Sequence, residues 1–206
     1  MIVKNIINEI LPDIWPMVLI ITVIISSLRI AYLIKGGKKI CIHRELLSLI
    51  FVIYILCLYH VVTFQDVNYG TNNFVPFREI FRYSIGSAKF IKNIVGNILL
   101  FIPFGFFSSY YLKNKKMLTT LILTLITSST IEIVQYYIGR VFDIDDIILN
   151  ILGGIVGFLL YIGFDAIKNR LPKFFRSDAF LNFLIILIIV LIIVYSFNLN
   201  IFGIFS

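Results

Sequence analysis

The stretch Glu132-Ile-Val-Gln135-Tyr-Tyr-Ile-Gly-Arg140-Val-Phe-Asp143-Ile-Asp145-Asp146-Ile-Ile-Leu-Asn150 places seven polar or charged side chains between two long apolar runs. An ionisable side chain at the centre of a membrane-spanning helix costs roughly 2.5–3.5 kcal/mol, so such residues are rare and are candidates for function. We therefore expect this stretch to lie at a membrane boundary, partly within the membrane, and to contain the functional site.

The composition of the whole chain supports a membrane environment. Of its 206 residues, 60% are hydrophobic and only 14% are charged, and the mean hydropathy is +1.00. A soluble domain has about 25% charged residues, so this chain has too little polar surface for a globule in water. The net charge of +7 resides mainly in short loops between apolar runs, which is a topology signal and does not indicate a nucleic-acid partner.

The apolar runs are long enough to cross a bilayer. A hydrocarbon core of about 30 Å takes about 20 apolar residues in a helix, and six segments qualify: residues 15–34, 46–64, 93–112, 117–138, 147–164 and 181–197. We predict an all-α, polytopic bundle of six transmembrane helices. It would form a single domain over residues 1–206 and lie in the cell (plasma) membrane.

The loop charges predict the orientation. Three connections are basic, with Lys35, Lys38, Lys39 and Arg44 in the first, Lys113, Lys115 and Lys116 in the third, and Lys168, Arg170, Lys173 and Arg176 in the fifth. The positive-inside rule places all three in the cytoplasm and both termini outside. The second connection, residues 65–92, has mixed charge and falls outside by its position between neighbouring helices.

This topology brings polar groups from several helices to one depth near the outer leaflet. Residues four or three apart lie on one face of a helix. Helix three offers two asparagines, helix four an acid and an amide in its last turns, and the following connection and helix the remainder. The predicted pocket comprises Asn93, Asn97, Glu132, Gln135, Arg140, Asp143, Asp146 and Asn150.

Structural roles for these residues remain open alternatives. An aspartate before a helix is often an N-cap, worth about 1 kcal/mol, which would account for Asp143, Asp145 or Asp146. Glu132 could form a salt bridge with Arg140 or a structural hydrogen bond. The three asparagines could instead cross-link helices through side-chain hydrogen bonds, each worth about 0.6–2 kcal/mol.

Other features indicate architecture. Gly153 and Gly157, with Gly154 beside them, form a small-xxx-small pattern that lets a neighbouring helix approach closely. The segment Asn73-Phe-Val-Pro-Phe77 could form a re-entrant turn that dips toward the pocket.

The two cysteines have no metal-ligand spacing. We expect Cys41 and Cys57 to be structural and not to form a disulfide with each other. His43 lies in the first basic loop, where we expect it to titrate in solvent.

Several motifs occur together over residues 50–165. They are Asn73-Phe-Val-Pro-Phe77, Asn93-Ile-Val-Gly-Asn97, Phe101-Ile-Pro-Phe-Gly105, Glu132-Ile-Val-Gln135 and Arg140-Val-Phe-Asp143-Ile-Asp-Asp146, followed by Asn150 and Gly153-Gly154. Their order and spacing resemble the VanZ-like family. The first helix and a further C-terminal transmembrane helix, residues 179–199, lie outside this core.

The resemblance implies a role in the cell envelope. The family is named for a bacterial protein associated with resistance to teicoplanin, a lipid-tailed glycopeptide. This implies a site at the outer leaflet formed by the motif positions of the pocket given above. It implies no defined catalytic residue, cofactor or metal.

Three functions fit the sequence. We favour a non-enzymatic envelope factor whose partners are membrane lipids and a lipid-linked envelope precursor or a lipoglycopeptide. The alternative is a membrane enzyme acting on an outer-leaflet headgroup. In that enzyme Glu132 would be the general acid or base, Asp143 and Asp146 would be the other catalytic candidates and hold a divalent cation, and Arg140 would bind a phosphate.

The third possibility is a small transporter or flippase. Pro103 and the buried polar groups fit this function. We expect the inner half of the bundle to lack the polar residues that would complete a path, which argues against it. No Ser-His-Asp order, HExxH motif or phosphatase-type signature supports the enzyme.

Overall fold

The computed structural model describes residues 2–37, 41–64, 71–113 and 115–203, with side chains over 14–37, 41–63, 71–113 and 115–190. The helices are α1 (Ile2–Lys35), α2 (Ile42–Phe64), α3 (Arg78–Arg82), α4 (Ala88–Phe90), α5 (Gly96–Leu112), α6 (Met117–Tyr137), α7 (Ile144–Arg170) and α8 (Asp178–Gly203). A π-helical turn, Ile91–Val95, joins α4 to α5. Lys38 and Lys39, used above for the orientation, lie outside the described residues.

The architecture is that of an all-α membrane protein. Within the described residues, five helical segments are long and apolar enough to cross a bilayer: Ile14–Lys35, Ile42–Thr63, Ala88–Leu112, Met117–Tyr137 and Ile144–Arg170. The described side chains of α8 cover Asp178–Val190, an apolar stretch shorter than a span. The sixth span and the placement of both termini outside therefore stay predictions.

The third and fifth spans begin earlier than predicted, at helix starts that side chains cap. The third begins at Ala88, where the Ser87 hydroxyl accepts a hydrogen bond from the Phe90 N–H at 3.1 Å. The fifth begins at Ile144, directly after Asp143, whose carboxylate accepts from the Asp145 N–H. Side-chain oxygens at these positions satisfy amides that a helix start leaves unpaired.

The centre of the bundle is the pair α5 and α7, whose backbones touch. A Cβ added at Gly153 would overlap the carbonyl oxygen of Ile98, and one at Gly157 would overlap that of Ile102. The predicted close helix approach is confirmed. Phe101 fills the space beside Gly153 and is 1% exposed.

Helix α6 packs against α7 with a polar face. Its buried side chains are Thr120, Thr124, Ser128, Glu132 and Gln135. Their spacing of four and then three residues places them along one side of the helix. The expectation that the inner half of the bundle lacks polar residues was wrong. Small hydroxyl side chains, which pack closely, continue the buried polar face of α6 toward the start of this helix.

The basic connections meet at one end of the bundle. Arg44 forms an ion pair with Asp178 of α8 at 3.0 Å, and Lys115 pairs with Asp165 of α7 at 2.8 Å. Because α6 starts beside Lys115 and rises about 1.5 Å per residue, its last turns lie at the opposite end. That opposite end holds the polar residues of the predicted pocket.

Candidate functional site

A cavity of about 40 Å³ lies where α2 and α6 end and α5 and α7 begin. Six of the eight predicted binding residues line it: Asn97, Glu132, Gln135, Arg140, Asp146 and Asn150. Apolar walls come from Leu58, Val61, Val62, Leu100, Phe101 and Ile131. Since one water molecule needs about 10–15 Å³, the cavity admits a small polar group and not a whole lipid headgroup.

Glu132 is a buried residue in the wall of this cavity. It is 2% exposed, and its Oε2 accepts a hydrogen bond from the backbone N–H of Asp143 at 2.9 Å. The structural hydrogen bond considered for this residue is therefore present. It connects the last turns of α6 to the start of α7.

Arg140 does not pair with Glu132. Its guanidinium donates to the carbonyl oxygen of Val62, which also accepts from Nε2 of Gln135 at 3.2 Å. No ion pair between Glu132 and Arg140 occurs within the described residues, so the salt-bridge alternative was wrong. Arg140 is only partly buried and stands where the end of α2 meets the cavity.

Two asparagines cross-link the helices around the cavity. The Asn97 amide donates to Oδ1 of Asp146, joining α5 to α7. Asn150 donates from Nδ2 to the Ser128 hydroxyl at 2.9 Å, joining α7 to α6. Its own Oδ1 is buried and accepts no hydrogen bond from the protein. A buried amide oxygen without a partner is costly, and it supplies an acceptor in the wall of the cavity.

Asp143 does not line the cavity and caps α7. Its carboxylate accepts from the Asp145 N–H at 2.9 Å and from Nδ2 of Asn73 at 2.8 Å. Burial raises the pKa of Asp143, and these two hydrogen bonds partly offset the rise. Asp143 and Asp146 thus have separate partners, an arrangement that does not favour one cation held by both.

Asn93 also lies apart from the cavity. It sits in the π-helical turn before α5, and its Nδ2 donates to the Tyr83 hydroxyl at 3.0 Å. That hydroxyl donates to Glu79 at 3.3 Å. Asn93 therefore interacts with residues of the second connection and not with the cavity.

Asp145 is a central residue that the predicted pocket omitted. It is 1% exposed, and its carboxylate accepts from the backbone N–H groups of Phe77, Glu79 at 2.7 Å and Ile80 at 3.3 Å. These amides form the start of α3, preceded by Phe77 in a left-handed conformation with φ of 67°. The sequence signal was the presence of Asp145 two residues after Asp143. A helix start needs one N-cap residue, so the additional aspartate called for another role.

The second connection also docks on the turn between α6 and α7. Asn73 forms a short parallel bridge with Asp143, its N–H donating to the Phe142 carbonyl at 2.8 Å and its carbonyl accepting from the Ile144 N–H at 3.0 Å. The segment 73–77 therefore docks on the turn that leads into α7, and none of its residues lines the cavity. That this segment dips toward the pocket stays a prediction.

These features define a class: a polytopic helical membrane protein with a polar cavity at one end of the bundle and a loop docked on the start of α7. A family model described as VanZ/LLP1 matches residues 49–168. Because this is more than half of the chain, the chain belongs to the VanZ/LLP1 family, and the resemblance stated above is confirmed. All six cavity residues with polar side chains fall within the matched range.

A curated relative supports the assignment. The chain is similar to Protein VanZ of Enterococcus faecium, with 28% identity over 158 residues, which is 76% of this chain and 90% of that protein. No solved structure matches the chain.

Proposed function

We propose that this protein is a non-enzymatic factor of the bacterial cell envelope. It binds the polar group of a lipid-linked or lipidated envelope ligand in the cavity and contributes to glycopeptide resistance, with teicoplanin as the drug concerned. The observation that carries the proposal is the gathering of six polar side chains from three helices and one connection around a single cavity at one end of the bundle.

The lining of the cavity suits a ligand group that donates hydrogen bonds. Glu132 and Asp146 contribute carboxylates, and Asn150 contributes an amide oxygen that accepts no bond from the protein. A buried acceptor gains most from a donor that replaces water. An ammonium or hydroxyl of a headgroup has the right size and the right chemistry. Arg140, partly exposed beside it, suits a neighbouring phosphate or carboxylate.

The surface of the second connection, at the same end of the bundle as the cavity, suits a membrane-embedded ligand. In the second connection Phe81 and Ile85 are 83% and 90% exposed, and Arg78, Lys89 and Lys92 accompany them in sequence. Apolar side chains beside basic ones are typical of segments that lie in the interface of a bilayer. An amphiphile could therefore keep its acyl chain in the lipid while its polar group enters the cavity.

The test replaces the two carboxylates without changing their shape. Glu132→Gln and Asp146→Asn are expressed in a strain that lacks the protein, with Asp165→Asn of α7 as the control at the opposite end. We expect both cavity variants to lose teicoplanin tolerance toward the level of the deletion strain, while the control keeps it. Normal membrane levels with full tolerance in both cavity variants would refute the proposed site.

A membrane enzyme is the second candidate, favoured by one observation. Glu132 and Asp146 are two carboxylates on one cavity, an arrangement suited to general acid and base chemistry. Mass spectrometry of envelope lipids and wall precursors separates the two functions. Identical profiles with and without the protein, together with lost tolerance in the cavity variants, support binding. A new or missing headgroup would instead support the enzyme.

A further inference from the structure

A second cluster of reactive side chains lies at the basic end of the bundle, remote from the cavity. Cys41, His43 and Asp178 each place one potential ligand atom within 4.8 Å of the other two. Cys41 Sγ is 3.4 Å from Nδ1 of His43, and Nε2 of His43 is 3.7 Å from the carboxylate of Asp178. Three chemically different ligands thus converge from the start of α2 and the start of α8.

The cluster combines residues that the spacing of the two cysteines does not connect. His43, two residues after Cys41, and Asp178, distant in sequence, supply potential ligands beside Cys41. His43 was expected in solvent, but its side chain is only 13% exposed. Asn182 holds the imidazole in place, with its Oδ1 lying 2.9 Å from Nδ1 and accepting from the His43 backbone N–H.

We propose that Cys41, His43 and Asp178 bind a Zn²⁺ ion. Thiolate, imidazole and carboxylate are the three side-chain ligands that zinc takes in proteins. Ligand atoms around a tetrahedral zinc lie about 3.3–3.7 Å apart, and one ligand atom from each of the three side chains lies within 4.8 Å of the other two. Closing the remaining separation takes a side-chain adjustment of about 1 Å. A water can supply the fourth position.

Arg44 is the competitor that the ion must displace. It donates to both oxygens of Asp178 at 3.0 and 3.1 Å. Both side chains of this pair are more than half exposed, at 62% and 54%. An ion pair in solvent contributes little to stability, so a divalent cation at the carboxylate can replace the guanidinium. The arginine then remains free to return to solvent.

The position of the cluster indicates what the ion does. All three ligands lie outside residues 49–168, the range that matches the VanZ/LLP1 family. Cys41 and His43 precede that range, and Asp178 follows it at the first turn of α8. The zinc would therefore fasten the last helix to the start of α2, on the side that we predict to be cytoplasmic. It is a structural addition in this chain, independent of the cavity.

The experiment uses the reactivity of a single thiol. In the full-length protein with Cys57→Ser, purified in detergent, Cys41 is the remaining cysteine. Because a metal-bound thiolate is shielded from alkylation, we expect Zn²⁺ to slow maleimide labelling by about tenfold or more, and EDTA to restore the rate. Metal analysis after removal of loose ions should find one Zn²⁺ per chain. Co²⁺ should produce a thiolate-to-metal charge-transfer band.

Two further variants in the same background test the ligand set. His43→Gln and Asp178→Asn are each expected to abolish the protection by Zn²⁺, while Arg44→Gln keeps it or strengthens it. Labelling of the Cys57→Ser protein at the same rate with and without Zn²⁺ would overturn the proposal. Protection that persists in both His43→Gln and Asp178→Asn would overturn it as well, since the thiol would then bind the ion without these residues.

Discussion

Gly105 of α5 and Gly154 of α7 bring two helix backbones into direct contact, since a Cβ on Gly105 would overlap the Gly154 carbonyl oxygen. Their contact sets the separation of the two helices at the middle of the bundle. Toward one end, the same two helices carry Asn97 and Asp146, which line the cavity and are hydrogen-bonded to each other. The geometry of the polar site thus depends on a glycine contact remote from it.

Gly105→Ala is expected to destabilise the protein by about 1–3 kcal/mol, because the added methyl meets backbone, which cannot rotate away. Thermal unfolding in detergent measures this loss. The matched control is Gly163→Ala in α7, where an added Cβ meets nothing within 4 Å and the gain in helix propensity is about 0.5–1 kcal/mol. Equal melting temperatures for the two variants would contradict the close helix approach.

Asp145→Asn is expected to release the second connection from the bundle. The carboxylate serves three backbone N–H groups at and before α3, whereas an amide offers one oxygen and turns an NH₂ toward donors. The expected loss is about 3 kcal/mol, since buried donors are left unsatisfied.

Limited trypsin digestion reports this release, with new cleavage after Arg78 or Arg82. Asp165→Asn is the control, because it affects only the surface contacts with Lys115 and Asn169 and should leave the digestion pattern unchanged. Unaltered protection in Asp145→Asn would show that other contacts hold the segment.

The pKa of Asp143 predicts how stability changes with pH. Burial raises this pKa above its ordinary value of 3.8, so the folded protein binds the proton more tightly than the unfolded chain. This contribution to stability is fully present below 3.8 and is lost as pH rises through the folded pKa. Asp143→Asn removes it while keeping an oxygen that can accept from the Asp145 N–H.

The measurement is the melting temperature of both proteins between about pH 4 and pH 7, the range over which a raised carboxyl pKa acts. We expect the wild type to lose stability relative to Asp143→Asn as pH rises. Parallel curves would indicate that Asp143 titrates alike in the folded and unfolded states.

Reporter fusions test the predicted orientation. A fluorescent protein fused at Lys115, which lies in a basic connection, should be active because it folds in the cytoplasm. Alkaline phosphatase fused at Gly139, near the cavity, should be active because it is exported. The reverse pattern would place the cavity on the cytoplasmic side and remove the basis for an outer-leaflet ligand.

The depth of the polar residues was predictable from the sequence. Glu132, Gln135 and Asn150 were expected at one level because the apolar runs locate the membrane boundary, and the structure places them around one cavity. Asn93 was expected there as well, but it lies within a π-helical turn and does not line the cavity. Helical periodicity predicts a face, and such an irregular turn changes the face without a clear sequence signal.

The membrane class, the apolar spans, the family and the band of polar residues followed from the sequence alone, because each depends on local composition and on the cost of polar groups in lipid. The partners were decided only by the tertiary structure. Asp145 caps a helix that precedes it by more than sixty residues, and Asp178 reaches Cys41 across most of the chain. Such pairings depend on how helices rotate and pack against one another, which the spacing of residues along one helix does not determine.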